Sequence, residues 1–543
     1  MSARSAARVS PEGRRLAALL ALLLLLLTGA LSLGADSSLP RADFSFCNQD
    51  EPASLDPALA TGFTESRVVG ALFEGLTRLD PKSLEVLPGV ARSWEVSDDG
   101  LSWSFHIRPE ARWSNGEGLV AEDLRWSFLR LLAPGATWPS GSLLHSVVGA
   151  RAYSLPGSPS LGDAHSVGIA APRPDLLRIT LQRPNAALPK ILAAPALAPV
   201  HRASVERWGS AWAQAGRMVC NGPFTLELRR LKDRIRLARN PLYWGADAVT
   251  LERVDALTAN GKTTQLNLYL TGAVDWMIKP PAGLFDELEG RSDLIVGPQY
   301  GSTFLRFNVR RPHLSDARVR RALSLALDRA SLAHHVLRMG HRATAAYVPS
   351  DQLGASPPPA PVPDPERARE LLAQAGYPGG AGLPTLELLF PRDESARDLC
   401  EAVAETWRRE LGVNARLAVQ TRKVYYDSSA QGLYDVAWSS WIGDWLDPAN
   451  FLDVFHSRGA SNRTGWAEPA YDELLSAAEQ ANQPAARAAL LAQAERLLLR
   501  ACPIAPIAQR VNVNLVSPRV TGFHDNLLDL HPLRDLAVTG PPP

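Results

Sequence analysis

Cysteine is scarce in this chain, four in 543 residues. Cys47, Cys220, Cys400 and Cys502 stand far apart and form no C-x-x-C pair. That excludes the usual structural zinc site and a thioredoxin-like redox motif, and leaves disulfide pairing open. An excess of one charge is also missing: lysine plus arginine number 57 and aspartate plus glutamate 56. A polyanion meets no general attractive field, so nucleic acid is not an expected partner. Catalytic signatures are absent as well, with no H-E-x-x-H and no G-x-S-x-G. Gly261-Lys262-Thr263 has the ending of a phosphate-binding loop, but Ala256 stands where that loop needs glycine. His334, His335 and His341 form the densest histidine group, yet adjacent helix positions diverge, which argues for a solvated face over a metal site. Asp98-Asp99 reads as a turn and Glu122-Asp123 as a helix start. No catalytic residue, metal or cofactor is expected, and the chain is read as a non-enzyme.

What is present fits a large globular protein. Hydrophobic residues make up 46% and charged residues 21%, outside the ranges of disordered or multi-span membrane chains. The length corresponds to roughly three or four domains. Forty-three prolines imply many rigid connections, and 14 tryptophans suit either core packing or a ligand cleft. At the N-terminus, Arg4, Arg8, Arg14 and Arg15 precede an uncharged, leucine-rich stretch from Leu16 to Ala35. This is the pattern of an export signal, and it also reaches the ~20 residues that span a bilayer. The expected location is periplasmic or extracytoplasmic, with the segment either cleaved or kept as a membrane anchor.

Strand and helix patterns alternate along the chain. Leu101, Trp103, Phe105 and Ile107 alternate with polar residues after the turn at Ser97-Asp98-Asp99-Gly100. Similar runs occur at Leu177 to Leu181, Phe224 to Leu228, Ile235 to Leu237 and Leu386 to Phe390. Val319, Ala322, Leu323, Ala326 and Leu327 have helical spacing behind an expected cap at Ser315, and Pro469 and Pro484 each open a helix. Pro357 to Pro365 and Tyr377 to Pro384 read as loops. The class is mixed α/β.

A linear series of motifs carries a more specific signal. It runs Ser54-Leu55-Asp56-Pro57, Leu72-Phe73-Glu74-Gly75-Leu76, Pro88-Gly89-Val90-Ala91, Ser93-Trp94-Glu95 and Ala111-Arg112-Trp113-Ser114-Asn115-Gly116. It continues through Asn221-Gly222-Pro223-Phe224, Asn240-Pro241-Leu242-Tyr243-Trp244, Asp316 to Leu323, Leu325 to Arg329 and Tyr434-Asp435-Val436-Ala437. In this order the motifs resemble the extracytoplasmic solute-binding proteins of family 5, the oligopeptide- and dipeptide-binding proteins of ABC importers. The resemblance implies a two-lobe periplasmic binding protein of type II, of the large three-subdomain variety, closing by hinge motion. It places a signal or anchor at 1–35, lobe I at 36–63, 181–300 and 511–543, an extra subdomain at 64–180 and lobe II at 301–510. It also implies a monomer that hands a peptide or other small solute to a permease and its ATPase complex.

Site residues follow from the same resemblance. The oligopeptide binders hold the ligand ammonium with an aspartate in a W-x-x-D segment, matched here by Trp441-Ile442-Gly443-Asp444. Asp444 is thus expected at the ammonium, with Ser440 and Ile442 offering backbone pairing. Glu51 matches a ligand-side glutamate of the first lobe, and Ala53 is a backbone partner. Trp438 stands where those proteins carry a carboxylate-binding arginine, while Arg422 falls where they present tryptophan. Trp438, Trp441 and Trp445 suggest an aromatic wall suited to apolar side chains or sugar faces. The same fold also serves oligosaccharides, metal complexes, haem or opines, and a ligand-presenting sensor without transport is a further alternative.

Overall fold

The computed structural model describes residues 39–540 except 61, 137, 260, 350–361, 444, 460 and 482. Residues 44–543 form one compact unit, and residues 1–43 are assigned to a separate one. The leucine-rich stretch from Leu16 to Ala35 lies outside the described residues. Among the described residues no helix is long and apolar enough to cross a membrane.

Two strands, Leu294–Phe307 and Ile504–Val516, organise the large unit. At 14 and 13 residues they far exceed the usual strand of about five or six. They pair antiparallel with each other in the middle of an eleven-stranded sheet. On one side lie Val436–Ile442, Leu386–Pro391 and Ala415–Gln420; on the other, Trp276–Ile278, Phe44–Cys47, Arg253–Leu257, Arg234–Arg239 and Phe224–Arg230. Each long strand therefore serves two halves of the molecule.

Their ladder breaks where the halves meet. Pro298 is paired with Val511 and the next pair is Ser302 with Gln509, so Gln299, Tyr300 and Gly301 oppose Arg510 alone. Such a bulge bends the strand and frees backbone groups for other partners. Pro298 has no N–H to give the ladder, and the Tyr300 N–H donates to the Leu527 carbonyl at 2.7 Å.

A separate four-stranded sheet contains Ala91–Val96, Ser102–Ile107, Leu176–Thr180 and Ile169–Arg173, with the expected turn at Asp98-Asp99 between the first two. Its buried face shares a core with helix Ala121–Leu131, where the Asp123 carboxylate accepts from the Val120 N–H at 2.9 Å. Other cores lie around Phe44, Trp212 and Trp276, around Leu388, Leu399 and Trp407, and around Phe304, Tyr347 and Tyr471. Tryptophans 113, 212, 276 and 407 are fully buried, which accounts for part of the tryptophan excess by packing.

Pro469 and Pro484 open their helices as expected. Two local expectations fail. Helix Ala317–Leu325 is capped by Asp316, which accepts from the Arg318 N–H at 2.8 Å; Ser315 closes the preceding turn instead. Pro365, expected in a loop, is the first residue of helix Pro365–Gln374, where its missing N–H costs nothing. All four cysteines are buried and free.

Candidate functional site

Backbone alternation fixes what strand Val436–Ile442 can offer. Its Thr303-to-Ser440 and Gly301-to-Ile442 register lies against the crossing strand. The Asn308 N–H donates to the Asp435 carbonyl at 2.9 Å, and the Gly443 N–H to the Tyr300 carbonyl at 2.8 Å. Odd-numbered residues therefore turn their backbone groups toward the crossing strand, and even-numbered ones turn theirs outward. Outward pairing with Leu386–Pro391 stops at Leu389 and Ala437. The Trp438 carbonyl, also outward, accepts from the Tyr425 hydroxyl. Ser440 and Ile442, both partly buried, continue this edge, and no described strand covers them. Gly443 is required beyond them, because a Cβ there would run into the Tyr300 ring.

The three tryptophans do not share one wall. Trp438 and Trp441 are three residues apart on a strand, so they take opposite faces. Trp438 packs on the core around Leu388 and Trp407, with its indole N–H buried and unpaired. Trp441 packs on the core around Phe451 and Tyr471 and donates to Asn450 Oδ1 at 3.0 Å. Trp445 is partly buried in the turn beyond. Asp444 lies outside the described residues.

On the opposite half, Glu51 accepts from Arg229 Nη2 at 3.3 Å and from the Lys232 N–H at 2.6 Å. The same arginine donates to the Pro52 carbonyl at 2.6 Å. Glu51 is thereby held against the Phe224–Arg230 and Arg234–Arg239 hairpin. Ala53 is exposed, and its N–H donates to Glu65 Oε1 at 3.3 Å. Arg422 is exposed at the first position of helix Arg422–Gln431.

A family model described as bacterial extracellular solute-binding proteins, family 5 Middle, matches residues 85–463. The chain belongs to this family. The periplasmic murein peptide-binding protein MppA of Escherichia coli (strain K12) is 33% identical over 489 residues, 88% of this chain and 89% of that protein. The solved structure of MppA superposes with a TM-score of 0.80 at 31% identity, covering 92% of this chain and 99% of that one. Haemophilus influenzae OppA in complex with RPPGFSPFR gives a TM-score of 0.79 at 28% identity, covering 92% and 100%. The probable deoxycholate-binding periplasmic protein YgiS of Escherichia coli (strain K12) is 31% identical over 501 residues, 89% of this chain and 91% of that protein. The architecture is thus the two-lobe, type II fold of periplasmic binding proteins.

This family 5 solute-binding protein also has a basic cluster that the sequence did not reveal. Arg510 faces the bulge and donates from Nε to Gln299 Oε1 at 2.9 Å. Lys279 follows strand Trp276–Ile278 and donates its N–H to the Val513 carbonyl at 2.8 Å. His341 precedes the short strand Arg342–Ala343, in which Arg342 pairs with Gln509, so His341 lies beside Arg510. Burial, reinforced by Arg510, pushes the Lys279 ammonium down to about 7. Burial likewise lowers Lys262 to about 8 and His341 to about 3. These residues are 17 to 248 positions apart in sequence, so spacing carried no signal; Lys262 appeared only in the failed phosphate-loop match and His341 only in the histidine group read as a solvated face.

Proposed function

We propose that this protein binds peptides between its lobes and delivers them to the permease of an ABC importer. The observation that carries the reading is the outward backbone edge at Ser440 and Ile442 beside the lobe-joining strands. An extended peptide completes such an edge by strand addition, which uses groups present in every peptide and leaves side chains free to vary. The relatives described as murein peptide-binding and as complexed with RPPGFSPFR support it. In this reading lobe I comprises 36–63, 181–300 and 511–543 with the extra subdomain at 64–180, and lobe II comprises 301–510. Asp444 receives the ligand ammonium.

Calorimetry with a tripeptide and its N-acetyl form tests this assignment. Acetylation and Asp444→Asn each weaken binding by roughly tenfold or more, and together they weaken it no further than either alone. Additive losses, or none, contradict the role of Asp444.

A second reading keeps the fold and replaces the peptide with an amphipathic non-peptide solute. The relative described as a probable deoxycholate-binding protein favours it.

A further inference from the structure

The bulge between the crossing strands gathers hydrogen-bond donors and few acceptors. Gln299 is 1% exposed; its carbonyl oxygen is taken by Arg510, and its Nε2 has no partner. His341 Nδ1, a donor or an acceptor according to the ring's tautomer, is also buried without a partner. Lys279 holds a left-handed backbone conformation, φ 52°, that is uncommon for a side chain of its type. Its ammonium lies near enough to Arg510, Lys262 and Arg67 for each to disfavour its charge.

Carboxylates nearby do not balance this group. Asp529 accepts from Asn514 Nδ2 and pairs with His531 Nε2, each at 3.0 Å, and lies 3.7 Å from Arg67. Asp50 and Asp393 are exposed. Among the described residues none of these three forms an ion pair with Lys279, Lys262 or Arg510, and Arg67 still has Nε and Nη1 buried without partners. Lys279 and Arg510 are partly exposed, and Lys262 Nζ donates to the Ile278 carbonyl at 3.3 Å. The buried donors left unmatched are Gln299 Nε2 and the two Arg67 nitrogens, at about 1–3 kcal/mol each, and an anion at the bulge relieves Gln299 and the repulsion among the cations.

We propose that Lys279, Arg510 and Gln299 bind a carboxylate of the ligand; this rests on the peptide reading above. Two carboxylate oxygens supply four acceptor sites, which allows one hydrogen bond from each of Gln299 Nε2, Lys279 Nζ, Arg510 Nη1 and Arg510 Nη2. The site lies where the strands cross between the lobes, so a bound anion bridges both halves and removes the repulsion among the cations as the lobes close. The carboxylate belongs either to an acidic side chain or to the peptide C-terminus.

Calorimetry on the full chain separates these sources. Tripeptides carrying Glu at each position in turn are compared with their Gln counterparts, and Ala-Gln-Ala is compared with its C-terminal amide. One of these pairs shows a preference of roughly tenfold or more for the carboxylate. The preferred pair identifies the source, and the ratio falls toward one in Lys279→Met with Arg510→Met. Lys279→Gln with Arg510→Gln serves if the methionine pair does not fold. Peptides bound without any such preference, or a preference unchanged in both double variants, overturn the carboxylate site while leaving peptide binding intact. Failure of every peptide to bind overturns the peptide reading and this inference with it.

Discussion

Arg183 Nη1 donates to Glu479 Oε2 at 2.8 Å, joining the chain just after the four-stranded sheet to helix Pro469–Gln480. In the lobe assignment proposed above, the pair links lobe I to lobe II and so acts on closure. Both side chains are more than half exposed, at 64% and 55%, and exposed pairs contribute about 0–1 kcal/mol. Arg183→Ala therefore weakens ligand affinity by no more than about fivefold. The difference disappears near 0.5 M salt, where screening is strong. Calorimetry at low and high salt measures both; a loss that persists at high salt contradicts a purely electrostatic latch.

The outward edge at Ser440 gives a prediction that is independent of peptide sequence. Ser440→Pro deletes an N–H that the crossing-strand ladder does not use, so the fold is retained. Affinity falls by roughly tenfold, and by a similar factor for peptides of unrelated sequence, because a backbone group is lost and no side-chain pocket. Losses that vary widely among peptides would place the contact elsewhere.

Glu74 is the centre of a buried network. Its Oε1 accepts from the Tyr243 hydroxyl at 2.6 Å and Arg534 Nη1 at 2.7 Å, and its Oε2 accepts from Trp244 Nε1 at 2.5 Å. Glu74→Gln leaves the buried Arg534 guanidinium with only the longer pair to Asp535, at 3.5 Å, and lowers stability by about 3 kcal/mol. Chemical denaturation measures this.

That network explains why the family signature was legible while the ligand chemistry was not. Leu72 to Leu76 and Asn240 to Trp244 meet at Glu74, and Asn221 joins them by donating to the Glu74 carbonyl at 2.9 Å. Gly222 is fixed there because a Cβ would collide with the Leu72 backbone. These motifs hold the scaffold, and local turn chemistry and burial periodicity make scaffold readable along the chain. Ser440 and Ile442 were named through the family resemblance, and the register of their strand turns their backbone groups away from the crossing strand. The tryptophans form no single wall because Trp438 and Trp441 stand three residues apart on strand Val436–Ile442 and so take opposite faces. The basic cluster depends on which segments pair with the strand around Arg510, Lys279 at Val513 and His341 next to the Arg342–Gln509 pair, and no spacing rule anticipates that pairing or the bulge Arg510 faces.

Lysine titration gives a pH prediction with a definite sign. In the unfolded chain a lysine keeps its proton to about 10.4, whereas burial brings Lys279 to about 7 in the folded protein. Between these values the unfolded chain binds more protons, so stability rises with pH. Below about 7 the charged, buried lysine exerts its full penalty. Lys279→Met therefore melts above the parent at pH ~6.5, by about a degree or two, and the gap narrows by pH ~9. A gap that widens with pH contradicts the assigned environment.

Native mass spectrometry of the protein purified without denaturation, with the released ligands identified in the same run, tests the central claim most directly. The account predicts a ladder of masses belonging to peptides of varied sequence. A single non-peptide mass, such as a bile acid or a sugar, would contradict peptide binding while leaving the two-lobe fold in place.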